Sequence, residues 1–143
     1  MVRDRIVIDS GFLLESVLPT QPIWQSEADE LIECLISREI MGIVPWIFFA
    51  ELAAVCSRKV RGNQLKRYEA ETFLDTIEHL GLDVDIELEW PRKIYDHSMG
   101  MQTQAYDAMY LTLSQRMGGL PIASRDNGML TGARGARIPV YAG

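Results

Sequence analysis

The sequence predicts an α/β fold, a central and mostly parallel sheet of about five strands with helices on both faces. Three observations predict it. Short apolar runs alternate with longer amphipathic ones along the chain, as strands and helices do in βαβ units. No repeat, low-complexity tract or linker interrupts the alternation. The length, 143 residues, is that of one compact domain able to bury a core without staples. A single domain over 1–143 is therefore expected.

The elements follow in order. "RIVID" is the first strand, with Ile6, Val7 and Ile8 in an unbroken run suited to burial on both faces, and Asp9 at its end. "PIWQSEADELIECLISRE" reads as a helix placing Ile23, Trp24, Ala28, Leu31, Leu35 and Ile36 near one face. "MGIVP" is a second strand, closed by Pro45. "WIFFAELAAVCSRKV" is apolar nearly all round when wound as a helix, so it needs cover on two sides. That cover is either the domain's own core or a surface brought by a homodimer mate or a bound peptide.

"NQLKRYEAETFLDTIEHLG" is an amphipathic helix stopped by Gly81, and "LDVDIE" then alternates as a strand. A helix starts at Pro91 and stops near Gly100. In "TQAYDAMYLTLSQRMGG" the residues Tyr106, Met109, Tyr110, Leu113 and Met117 recur at three- and four-residue steps, giving a helix that Gly118 and Gly119 end. "LPIAS" and "RIPVYA" complete the strands.

Composition narrows the function classes. With 48% hydrophobic and 24% charged residues the chain is neither disordered nor fibrous in type. Its longest uncharged apolar run, "MGIVPWIFFA", is too short to span a bilayer. The start, "MVRDRIVIDS", has no apolar core or small-residue cleavage site, so a cytoplasmic protein is expected. Cys34 and Cys56 form no CxxC pair and are expected as buried reduced thiols. His79 and His97 are expected at the surface or at helix ends, and no GxSxG elbow accompanies them. Lys plus Arg number 14 against 20 Asp plus Glu, a net charge of −6. Bulk charge thus argues against nucleic-acid affinity, although a nuclease whose metal-binding carboxylates count against it is still acidic overall.

Four acids stand at strand ends or inside apolar helix. Asp9 and Asp126 each follow an apolar strand and have a hydroxyl close by in sequence, Ser10 and Ser124, at the strand ends where parallel sheets place their ligand crevice. Glu51 lies inside "IFFAELAAV" and Asp107 in the first turns of "TQAYDAMYLTL", both embedded in apolar helix. Each has a plain explanation alone: an N-cap or turn at Asp9 and Asp126, a pair across a helix interface at Glu51, a dipole partner at Asp107. Arg125 adjoins Asp126 as a candidate ion-pair partner. Gathered in one crevice, four carboxylates repel one another unless a cation neutralises them, and Mg²⁺ or Mn²⁺ suits an all-oxygen set. Such an ion activates water for an in-line phosphodiester displacement without a nucleophilic side chain.

The only dense basic patch is Arg58, Lys59, Arg61, Lys66 and Arg67, around the "RGN" turn. Arg58, Lys59 and Arg61 are candidate phosphate contacts to RNA, and cations at a helix C-terminus explain Arg58 and Lys59 equally well.

The opening "VIDSGFLL", the acid in "FFAELAAV", and above all "YDAMYLTLSQRMGGLPIASRD" resemble the PIN domain, specifically the VapC-type toxin ribonucleases, over nearly the whole chain. The resemblance implies a PIN-like fold and a metal-dependent endoribonuclease. Its catalytic and metal-binding quartet is Asp9, Glu51, Asp107 and Asp126, and Ser10 and Ser124 support metal waters or phosphate. It also implies a cognate antitoxin whose C-terminal segment fills a hydrophobic groove, and a homodimer. The family's opening motif usually carries a hydroxyl where this chain has Gly11.

Two rivals remain: a non-catalytic PIN-like binding module, and a Mg²⁺-dependent phosphoacceptor. The second wants a lysine at a late strand end, which "LPIAS" and "RIPVYA" lack. An aspartyl-nucleophile phosphohydrolase wants a second acid where Gly11 stands.

Overall fold

The structure, a computed structural model, describes residues 4–142. Its elements are β1 (Asp4–Ile8), α1 (Ser10–Leu14), α2 (Pro22–Ile36), β2 (Ile40–Pro45), α3 (Ile47–Arg61), α4 (Arg67–Glu78), β3 (Asp83–Asp85), α5 (Pro91–Met101), α6 (Ala105–Arg116), β4 (Ile122–Ala123) and α7 (Asn127–Gly135). The fold is α/β, and every strand pairing in its sheet is parallel.

The strand order is β3-β2-β1-β4. The chain thus steps outward from β1 through β2 to β3 and then returns to the other side of β1. A crevice opens at such a reversal, outside the carboxyl ends of the two strands that flank it. These are β1, which leads into Asp9, and β4, which leads into Ser124 and Asp126. Ile6, Val7 and Ile8 are consecutive, point alternately to opposite faces, and are all buried. Both faces of β1 are therefore covered.

The sheet has four strands among the described residues, not about five. "RIPVYA" supplies only an isolated bridge, Ile122 to Val140. Pro139 accepts from Ile122 N at 2.9 Å but has no N–H of its own to extend a ladder.

Side chains depart from the expected faces in three helices. α2 buries Ala28, Leu31, Ile32 and Leu35, while Ile23 and Ile36, in its two end turns, are exposed. α3 buries Ile47, Phe48, Leu52 and Cys56 and leaves Phe49, Ala50 and Ala53 in solvent, with Trp46 exposed at its N-cap. The described chain thus covers one side of this apolar helix. α6 buries Ala108 and every residue from Tyr110 to Ser114, more than one stripe, because it packs on β1 and β2 and against α5 and α7. Its end is as expected: Gly118 and Gly119 take φ of 89° and 85°, open to glycine without a Cβ penalty. α5 runs past Gly100 to Met101, and Gln102 at φ 54° caps it.

Cys56 is buried, and Cys34 is only partly so. His79 Nδ1 lies 2.7 Å from the Asp75 carbonyl at the end of α4. Among the described residues no helix is long and apolar enough to cross a membrane.

Candidate active site

Asp9 occupies the N-cap position of α1, with extended backbone, yet its side chain caps nothing. Its carboxylate instead accepts a hydrogen bond from Ser124 Oγ at 3.0 Å, and that hydroxyl accepts from Asp126 N at 3.0 Å. One buried serine therefore ties the end of β1 to the end of β4. Asp126 does cap its helix: Oδ1 accepts from Met129 N at 2.8 Å, which satisfies one of the four free N–H groups at the start of α7. The plain explanation holds for one oxygen of Asp126 and fails for Asp9.

Asp107, in the first turn of α6, shares a hydrogen bond with Asp126. A methyl placed on Gly128 would lie 3.1 Å from Asp126 Oδ1 and 3.6 Å from Asp107 Oδ2. The missing side chain therefore leaves room directly in front of both carboxylates. A methyl on Gly11 would lie 3.7 Å from Asp9 Oδ2, ordinary van der Waals separation. Glu51, from the second turn of α3, accepts a hydrogen bond from Tyr110 Oη at 2.5 Å. Ser10, buried beside Asp9, hydrogen-bonds the same phenol.

The acids feel one another. Burial pushes Asp9 up to about 7, Ser124 opposes this, and the charges of Glu51, Asp107 and Asp126 add to it. Asp107 is raised to about 6 by burial, by the charges of Asp126 and Glu51, and by the hydrogen bond to Asp126. Burial raises Glu51, and the Tyr110 hydroxyl partly offsets it. Tyr110 is held well above the usual phenol range by burial and by Glu51, so it remains a donor.

Arg125 does not pair with Asp126. Its guanidinium bonds Glu27 and lies over the rings of Phe12 at 4.4 Å and Trp24 at 5.1 Å. Packing decides this: the planar cation finds two aromatic faces and a carboxylate on α1 and α2. Among the described residues, the ion pairs engage none of the four acids. Arg58 and Arg61 lie exposed in the last turn of α3, where Lys59 is half-buried.

Among the described residues no three His, Cys, Asp or Glu side chains converge closely enough to ligate one ion directly. The residues present nevertheless fit Mg²⁺, which keeps several waters and takes only one or two carboxylates. Asp107 and Asp126 lie together and face the space left by Gly128, so they would hold the ion, with Asp9 and Glu51 adding negative charge to the site.

Tyr110 is the site residue that periodicity hides, because it recurs with the apolar positions of α6. A usable signal is its spacing, three residues after Asp107 and so on the same helical face. Gly128 is equally silent in sequence, since what matters there is an absent side chain.

No protein-family model matches the chain, and no curated protein matches it. Among solved structures it is similar to the crystal structure of PAE2754 from Pyrobaculum aerophilum, with a TM-score of 0.66 and 16% identity over 90% of this chain and 79% of that one. At that identity the likeness speaks for the fold alone.

Proposed function

We propose that the chain is a PIN-like, metal-dependent endoribonuclease and the toxin of a toxin–antitoxin pair. The observation that carries the reading is the convergence of four carboxylates, three of them held above the usual range, with no described cation paired to any of them. Such a cluster is costly by itself and is relieved by a divalent ion. A bound Mg²⁺ or Mn²⁺ supplies an activated water and stabilises charge on the phosphodiester oxygens. The chain's own groups do the positioning: Asp107 and Asp126 would hold the ion, Ser124 fixes the Asp9 carboxylate, and Tyr110, itself bonded by Ser10, fixes Glu51.

The exposed face of α3 at Trp46, Phe49, Ala50 and Ala53 supports a protein partner there, an antitoxin segment or a homodimer mate. A cytoplasmic location goes with this reading. The want of three directly ligating side chains among the described residues favours the second reading, a non-catalytic PIN-like module, and one experiment separates the two. Structured RNA incubated with the protein and Mn²⁺ is cleaved, EDTA stops cleavage, and Asp107→Asn abolishes it while the circular dichroism spectrum is kept. Cleavage surviving both EDTA and Asp107→Asn overturns the metal mechanism; no cleavage at all leaves the binding module.

A further inference from the structure

Five of the 14 cations of this acidic chain, Arg58, Lys59, Arg61, Lys66 and Arg67, fall in the ten residues 58–67, which contain no acid. Among the described residues none of the five forms an ion pair. A helix dipole welcomes Arg58, Lys59 and Arg61 at the C-terminus of α3. It does not welcome Lys66 and Arg67, which are the N-cap and first residue of α4 and meet the positive end of that helix. Helix stability therefore explains only part of the patch. An anion from outside satisfies all of it.

The patch is also aligned with the acidic site. Glu51, Ala54, Arg58 and Arg61 recur at steps of three and four and so form one stripe of α3. Ala54, Arg58 and Arg61 are exposed along it. At a rise of 1.5 Å per residue, Arg58 and Arg61 stand about 10 and 15 Å from Glu51 along the helix axis. Ala54, between Glu51 and Arg58, keeps the route low. Beyond Arg61 the turn leads to Lys66 and Arg67, beside a cleft of 610 Å³ lined also by Asn63, Gln64, Tyr68 and one acid, Glu69, which the two cations outnumber. Lys59 lies a hundred degrees round the helix and is half-buried, outside the stripe.

We propose that this stripe of α3 and the α3–α4 turn form a track that grips the phosphate backbone of an RNA strand and leads it to the acidic crevice. The crevice end of the track rests on the nuclease reading; the binding does not. Fifteen ångströms is at most about four nucleotides at a rise of ~3.4 Å per nucleotide in one strand. The track therefore acts on RNA reaching further than that from the crevice, and not on shorter fragments.

The test is fluorescence anisotropy with a labelled 20-nucleotide RNA and the Asp107→Asn protein, with and without Arg58→Ala, Arg61→Ala, Lys66→Ala and Arg67→Ala together. The expected result is a Kd at least tenfold weaker and a slope of log affinity against log salt lower by roughly 3, at ~0.7 for each single-strand phosphate that is no longer neutralised. Arg58→Ala with Arg61→Ala is then compared with Arg92→Ala and Lys93→Ala, an equal loss of charge on exposed residues of α5. Only the α3 pair is expected to weaken binding. With the catalytic acids intact, the fourfold variant raises KM on long RNA and leaves kcat unchanged. An unchanged Kd and salt slope, or equal weakening by the α5 pair, overturns the track. If the wild type cleaves no RNA but the patch variants still lose binding, the track stands and the nuclease reading falls.

Discussion

The Tyr110 hydroxyl donates to Glu51 Oε1 at 2.5 Å and joins α6 to α3 across the floor of the acidic crevice. The phenol is buried, and so is Ser10, its other partner. One hydroxyl thus orients an acid from α3, braces the residue that follows Asp9, and stands one turn from Asp107.

Tyr110→Phe keeps the ring and removes that hydroxyl. Leaving the partly buried Glu51 oxygen without its donor costs about 1–3 kcal/mol. Because Glu51 acts through what orients it, Mn²⁺ affinity falls by about tenfold or more. Isothermal titration with Mn²⁺ alongside urea denaturation checks both. Equal Mn²⁺ affinity in the two proteins refutes the orienting role.

The pH dependence of the metal-free protein has a definite sign. Asp9 titrates near 7 in the folded chain against an ordinary value of 3.8, so between those pH values the folded state holds the extra proton. From this group, stability is greatest below about pH 4 and declines as pH rises to 7, by on the order of 4 kcal/mol. In EDTA, Tm at pH 5.5 should exceed Tm at pH 7.5, and Asp9→Asn should shrink the difference. A Tm that rises with pH over that range, and does so in both proteins, contradicts the buried-acid account. Since metal and proton compete for the same carboxylates, Mn²⁺ affinity should weaken below about pH 6.

Gly128 and Gly11 separate a filled cradle from a harmless methyl. Gly128→Ala brings Cβ to 3.1 Å from Asp126 Oδ1, whereas Gly11→Ala sits at an ordinary 3.7 Å from Asp9 Oδ2. Loss of Mn²⁺ binding and RNA cleavage is expected for Gly128→Ala with little change in Tm. Gly11→Ala should leave both within twofold, and Gly11→Ser should be accommodated as well. Should the two alanine variants behave alike, the space at Gly128 is not where the ion sits.

Arg125 serves the site from behind, by holding the turn between β4 and α7. Arg125→Ala strips the cation from the rings of Phe12 and Trp24 and leaves Glu27 unpaired, a destabilisation of about 2 kcal/mol for a desolvated cation over aromatic rings. A lower urea midpoint is expected for Arg125→Ala and a smaller drop for Glu27→Gln. No change in either would mean the turn is held by backbone hydrogen bonds alone.

Glu51 and Asp107 are legible in the sequence because each interrupts an apolar run, where a charge needs a reason, and Asp9 and Asp126 because each follows an apolar strand. Parallel strands alternating with helices put Asp9 and Asp126 at the carboxyl ends of their strands, and the fold then sets β1 and β4 side by side. The partners of each acid are not legible. Ser124 bridging Asp9 and Asp126 depends on β4 pairing with β1 across more than a hundred positions, and no local pattern reports that. Arg125 shows the limit from another side: its neighbour in sequence is Asp126, but two aromatic rings and Glu27 take it. The fifth strand fails on Pro139, whose missing N–H outweighs the apolar pattern around it.

The hydrogen bond from Ser124 to Asp9 spans 115 positions of chain. During synthesis Asp9 leaves the ribosome 115 positions ahead of Ser124, which is followed two residues later by Asp126. A nascent chain that has made β1 through α6 already holds Asp9, Glu51 and Asp107, but neither Ser124 to tie Asp9 down nor Asp126 to complete the pair at Gly128. Chain order thus acts as a timer. Under the ribonuclease reading, the acidic site is complete only once β4 and the start of α7 have been made.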